Sequence, residues 1–311
     1  MAGDKLQFKS FVSSLAGHPS LVTALMQFIK FHGFGNDYIV FESAQLAGVE
    51  SLGELARRVC DRHYGAGADG ISIVSRSEEE SADFNVRIFN PDGSEAGLSG
   101  NGTRCAAAYL YYRGLWTEDD LRLSTRTGIK LYRLRERISD GHYWFEAELG
   151  EPRFDSASIP ILTDEPLERV TDYPLNVEGE QLSVTALLMG NPHCCLFVED
   201  FDALDWRRIG RALQTHAQFP DRTNVVFIRV ADRETIELRI WERGVGETFS
   251  SGTGACAASV ASMINNRTER RVKVLMPGGR IEVEWRADNE VVMTGRADIV
   301  YRGEWLNDLG F

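Results

Sequence analysis

Apolar residues recur along the chain at two different periods. At helical spacing stand Leu52, Leu55, Ala56, Val59 and Cys60, with Ser51 before them as N-cap, which predicts a helix with one buried face. Two Ala-rich stretches, 101–113 and 253–264, predict further helices, the first closed by Gly114, and Ala203 to His216 predicts an amphipathic surface helix. At period two stand Phe84-Val86-Ile88, Ile236-Leu238-Ile240 and Ile281-Val283-Trp285, each alternating with polar residues as half-buried strands do. Phe28-Ile29-Lys30-Phe31 also reads as strand. Asn90-Pro91-Asp92-Gly93, Ser139-Asp140-Gly141 and Pro277-Gly278-Gly279 are turn signals between such runs. Many antiparallel strands around few helices predict an α+β fold.

One phrase occurs twice in matched settings: Ser99-Gly100-Asn101-Gly102 and Ser251-Gly252-Thr253-Gly254. Each follows an alternating strand and a Gly turn, and each opens an Ala-rich helix that carries a Cys. A single Ser-Gly before a helix is ordinary capping. The repetition predicts a duplicated fold, two pseudo-symmetric lobes, each a mostly antiparallel sheet wrapped around a central helix. It also predicts two helix N-termini facing across a cleft, where their free N–H groups can seat an anion.

Composition narrows the classes of function. The chain has 311 residues, enough for two units of about 150, and its 43% hydrophobic and 26% charged content is that of a globular protein. A formal charge of -12 argues against nucleic acid as partner. No window reaches the ~18 apolar residues of a membrane span, and the first residues lack a signal peptide's basic start and apolar core. Five cysteines, Cys60, Cys105, Cys194, Cys195 and Cys256, without repeated C-x-x-C spacing, read as reduced thiols in a cytoplasmic protein and not as a metal site. Cys105 and Cys256, inside Ala-rich helices, read as small core residues.

Three Gly-rich clusters add polar side chains at strand ends: Gly33-Phe34-Gly35-Asn36-Asp37, Gly190-Asn191-Pro192-His193, and Trp241-Glu242-Arg243-Gly244-Val245-Gly246-Glu247. Loops of this kind carry function on a rigid scaffold. Read singly, Asn36 and Asn224 are equally turn residues that satisfy backbone, and Glu242-Arg243 is equally an exposed ion pair.

Taken in order, FHGFGNDY, CDRHYGAGADG, RIFNPDGSEAGLSGNGTRCAA, GNPHC, ERGVGETFSSGTGACAA and PGGRIEVEW resemble the diaminopimelate epimerase family from about residue 27 onward. The resemblance implies a two-lobed fold that inverts an α-carbon with no cofactor, one base removing the α-proton while a second group protonates the opposite face. It implies that Asn36, Asn90, Asn191, Asn224 and Arg243 hold a diamino dicarboxylic acid, Arg243 taking the distal carboxylate. Gly100 with Asn101, and Gly252 with Thr253, match the two backbone cradles for the α-carboxylate. His193 and Glu242 match the groups that polarise the bases, His193 serving Ser99 and Glu242 serving Ser251. A homodimer is the family's habit. We divide the chain into a loose N-terminal extension at 1–26, a first lobe at 27–149 with 296–311, and a second at 150–295, with the boundary near Gly150-Glu151-Pro152.

The departure lies at the bases. The family has cysteine where this chain has Ser99 and Ser251. A thiol with pKa about 8.5 yields a thiolate near neutrality, whereas a hydroxyl acts as a base only if a neighbour takes its proton in the same step. Three readings therefore stand at this point: an epimerase of LL- and meso-diaminopimelate using serines, a non-catalytic or Cys→Ser inactivated diaminopimelate-binding form, and a related amino-acid racemase or dehydratase.

Overall fold

The computed structural model describes residues 25–97 and 99–306. The expected N-terminal extension lies outside these residues as far as residue 24. Its last two positions already belong to the first strand, Leu25–Gly33, because Met26 is buried (1% exposed) in an apolar cluster with Phe28, Ile39 and Phe41.

Among the described residues the α-helices are α1 Leu52–Cys60, α2 Gly100–Tyr112, α3 Trp206–Gln214 and α4 Gly252–Ile264. Each is where periodicity predicts one. The surface helix is shorter than expected because Asp205 caps it, its carboxylate accepting from Arg208 N at 3.2 Å. α2 and α4 are buried on all sides, from Gly102 to Tyr111 and from Gly254 to Met263. This explains their alanines: a helix enclosed by sheet needs small side chains all round, not one apolar stripe.

Around α2 the strands Leu25–Gly33, Asn36–Glu42, Gly70–Arg76, Phe84–Phe89, Asp120–Thr125, Gly128–Ser139, His142–Gly150 and Val291–Leu306 pair in that order, and the last closes onto the first. Around α4 run Val170–Val177, Glu180–Met189, Asn191–Phe197, Asn224–Asp232, Thr235–Glu242, Arg271–Met276 and Gly279–Trp285, ending on the same strand Val291–Leu306. Most pairings are antiparallel, giving the α+β architecture that the sequence predicts. Residues 291–294 pair with Gly279–Trp285 and 298–306 with Leu25–Gly33, so residue 296 falls within one continuous strand.

A two-residue turn joins the sheets in another way. Gly33 pairs with Asn36, leaving Phe34 (φ 57°) and Gly35 (φ 87°) as the turn, both left-handed. For Phe this costs about 1–2 kcal/mol. Its ring packs in the core of the α4 sheet, with Met189, Val291 and Met293, although its backbone belongs to the α2 sheet. A Cβ on Gly279 would stand 2.5 Å from that ring. Phe34→Ala is expected to lower stability by about 3 kcal/mol, the usual loss for a buried phenyl, measured as the shift in urea midpoint. A change below about 1 kcal/mol would show that the ring does not join the two sheets.

Candidate active site

Ser99 and Ser251 are held alike for a local reason. Each is in extended backbone immediately before a helix, and each Oγ accepts the N–H three residues on, from Gly102 at 3.1 Å and from Gly254 at 3.3 Å. The remaining first-turn N–H groups, at Gly100 and Asn101 and at Gly252 and Thr253, have no intrahelical acceptor. A Cβ on Gly100 would meet none of the described residues within 4 Å, so that corner is open; one on Gly252 would meet Met293 Sδ at 3.3 Å. α2 and α4 come into contact.

Their side-chain partners differ. Glu242 is close enough to Ser251 for the serine to lower its carboxyl's pKa, while burial, the larger effect, pushes that pKa up. Ser99 Oγ lies 2.8 Å from the Tyr38 hydroxyl. The relay expected from Ser99 to His193 is thus not formed in this structure. His193 Nε2 lies 2.7 Å from Asn191 Oδ1, while its Nδ1 is buried without a partner among the described residues. With Oδ1 as acceptor, Nε2 carries the proton and Nδ1 keeps a free lone pair. Burial pushes the imidazole's pKa down to about 3, and the charge of Arg243 adds to the push. It is neutral at pH 7.

The predicted asparagines fall into two kinds. Asn36 and Asn101 join a continuous chain of hydrogen bonds. Asn101 Nδ2 donates to Asn36 Oδ1 at 3.0 Å, Asn36 Nδ2 to Asp69 Oδ2 at 2.9 Å, and Arg62 bridges Asp69 and Asp37 at 2.8 and 2.9 Å. Arg104, fully buried on α2, donates to Asn101 Oδ1 and, at 2.8 Å, to Arg296 O. These bonds fix which way both amides point. Asn224 and Asn90 instead satisfy local backbone and turn groups. Asn224 donates to Pro192 O at 3.0 Å and accepts from Arg243 N at 2.9 Å; Asn90 donates to Ser94 Oγ at 2.9 Å within its own turn.

Arg243 is exposed, with one guanidinium bond, to Asp221 O at 2.9 Å, and no carboxylate partner among the described residues. It is free to take an anion. Thr253 stands half-buried in the first turn of α4. Sequence reasoning missed Tyr38, Asp69 and Arg104; an Arg inside an otherwise small and apolar helix was the available signal for the last. All five cysteines are buried, Cys105 and Cys256 in the two helix cores, where burial pushes both thiols up to about 12. Among the described residues no group of three or more His, Cys, Asp or Glu could hold a metal, and no helix is long and apolar enough to cross a membrane.

The sequence profile of the diaminopimelate epimerase family matches residues 28–154 and 185–300. The chain is 42% identical over 285 residues to the diaminopimelate epimerase of Desulfitobacterium hafniense, covering 91% of this chain and 99% of that one. It is 44% identical to that of Pelotomaculum thermopropionicum, covering 90% and 99%. Among solved structures it resembles a Bacillus anthracis phenazine biosynthesis protein of the PhzF family (TM-score 0.68, 18% identity, 91% of this chain and 99% of that one). A hydroxyproline epimerase from Agrobacterium vitis is similar as well (TM-score 0.63, 15% identity, 92% and 93%). At these identities the solved structures show the fold alone.

The neutral, buried His193 makes stability depend on pH. Its folded pKa lies below the unfolded value of 6.5, so from about pH 6.5 down toward 3 the unfolded chain binds the extra proton. Stability is then lost as pH falls, by up to about 1.4 kcal/mol per unit. Denaturant unfolding between pH 7 and 4 should give a shallower pH dependence for His193→Gln, by close to one proton. Equal slopes would mean that His193 is protonated in the folded protein.

Proposed function

The chain belongs to the diaminopimelate epimerase family, and on that premise we propose that it interconverts LL- and meso-2,6-diaminopimelate by two-base α-proton transfer, without a cofactor. One observation carries the reading. Two serine caps stand in matched geometry at the N-termini of the two buried helices, each Oγ on the N–H three residues on. The α-carboxylate accepts from the free N–H groups at Gly100 and Asn101 and at Gly252 and Thr253, where both helix dipoles favour negative charge. Asn36, Asn90, Asn191 and Asn224 surround the substrate, and Arg243 pairs with the distal carboxylate.

On one face Ser251 takes the α-proton as its own proton passes to Glu242, whose raised pKa suits it to receive one. On the other face Ser99 gives its proton to the carbon. The reverse reaction exchanges these roles, and His193 helps to orient Asn191. A hydroxyl is a poorer base than a thiolate, so turnover is slow. We also propose the reducing cytoplasm as the location, a homodimer as the assembly, and lobes at 27–149 with 296–311 and at 150–295. The hydroxyls at both base positions favour one second reading, a diaminopimelate-binding protein without turnover.

Proton NMR of diaminopimelate with the protein in D₂O separates the two. Exchange at the α-carbon above a protein-free control, lost in Ser251→Ala, is the expected result; binding without exchange selects the second reading. Replacing both serines (Ser99→Cys, Ser251→Cys) should raise kcat by about 100-fold or more. Arg243→Ala should raise KM by about 30- to 100-fold, the loss of one charge-assisted pair. An unchanged KM removes Arg243 from the distal-carboxylate role.

A further inference from the structure

The strand Asn36–Glu42 brings into the site a side chain that the two-base scheme does not use. Tyr38 is buried (5% exposed), and its hydroxyl has one partner among the described residues, Ser99 Oγ at 2.8 Å. A Cβ at Gly70 would stand 2.6 Å from the ring's Cε1 and one at Gly102 would stand 2.8 Å from the same atom, so two glycines make room for the ring. Gly102 is the second glycine of the first Ser-Gly-Asn-Gly phrase, which gives that glycine a packing reason beyond helix capping.

The direction of the hydrogen bond follows from chemistry. A phenol is a stronger acid than an alkyl hydroxyl and so the better donor, and a buried O–H left without an acceptor is costly. Burial pushes the phenol's pKa up, so at rest its proton stays in place. Ser99 Oγ then accepts twice, from Gly102 N–H at 3.1 Å and from the Tyr38 hydroxyl. Its own O–H is left free for the cleft. Ser251 Oγ accepts the matching N–H, from Gly254 at 3.3 Å, but has no phenol beside it.

We propose that Tyr38 is a positioning residue that turns the resting Ser99 O–H toward the cleft, its own hydroxyl donating to Ser99 Oγ; this rests on the epimerase reading above. As the α-carbon gains the Ser99 proton, Oγ keeps the O–H electron pair and takes the more acidic Tyr38 proton along their hydrogen bond, so the negative charge passes to the phenol oxygen. The proton lost by the carbon on its other face sits on Glu242, relayed by Ser251, so charge balances across the site.

A thiol at position 99 reads this hydrogen bond without any turnover. In Ser99→Cys the thiolate would accept from Tyr38, so adding Tyr38→Phe should raise the midpoint of the pH profile for alkylation of the introduced thiol by iodoacetamide. The expected shift is about one pH unit, followed by mass spectrometry against the five buried thiols. Phenylalanine keeps the ring against the glycines, and an unchanged melting temperature checks that the fold is kept. A shift below about 0.3 unit overturns the proposal whatever the activity. In the serine chain, Tyr38→Phe should lower kcat about tenfold and leave KM unaltered; a rise in KM at constant kcat also overturns it. A parent chain that never exchanges the α-proton defeats the epimerase reading, and the thiol shift still decides the bond to Tyr38.

Discussion

A single buried cation organises the site. Arg104 sits on the central helix α2 without a carboxylate partner among the described residues; Nε and Nη2 meet fixed acceptors and the guanidinium lies over a ring, while Nη1 is buried with no partner among those residues. Nε reaches the carbonyl of Arg296, on the strand shared by both sheets, and another arm reaches Asn101 Oδ1. The guanidinium lies 5.6 Å from the centroid of the Phe34 ring. Burial lowers its pKa, which records the desolvation that these contacts offset. From Asn101 the ordering passes to Asn36 and Asp69, then through Arg62 to Asp37, which also pairs with Lys30 at 2.7 Å. Two amides, of Asn36 and Asn101, are thereby set in one orientation.

The duplicated fold does not produce duplicated chemistry. The backbone halves repeat closely: a Ser cap in extended conformation, an Ala-rich helix buried on every side, a Cys within each core. The groups that touch the two serine oxygens do not repeat. Ser99 Oγ meets the Tyr38 hydroxyl, and Ser251 Oγ has no side-chain hydrogen bond among the described residues, so a symmetric framework carries an asymmetric pair.

Much of this was legible in the chain, because its signals are local. Period-two alternation placed the strands at Phe84–Phe89, Thr235–Glu242 and Gly279–Trp285, and the Ser-Gly-x-Gly phrases placed both caps. What escaped depends on pairings between distant positions. Nothing near Tyr38 announces a bond to Ser99, and nothing near Arg104 announces Arg296. Asn90 and Asn224 show the converse. Their motif is specific, yet in this structure their amides serve a turn and a strand end, the ordinary occupation of asparagine.

Phe34 has a consequence for how the molecule comes apart. Its left-handed backbone is held by a ring lodged in the opposite sheet, and the strand Val291–Leu306 contributes ladder partners to both sheets. Severing the polypeptide near Gly150 would therefore leave one fragment lacking a core phenyl ring and the other lacking an edge partner. The halves look like copies, but each borrows structure from the other, so the protein is expected to melt as one cooperative body in place of two independent ones.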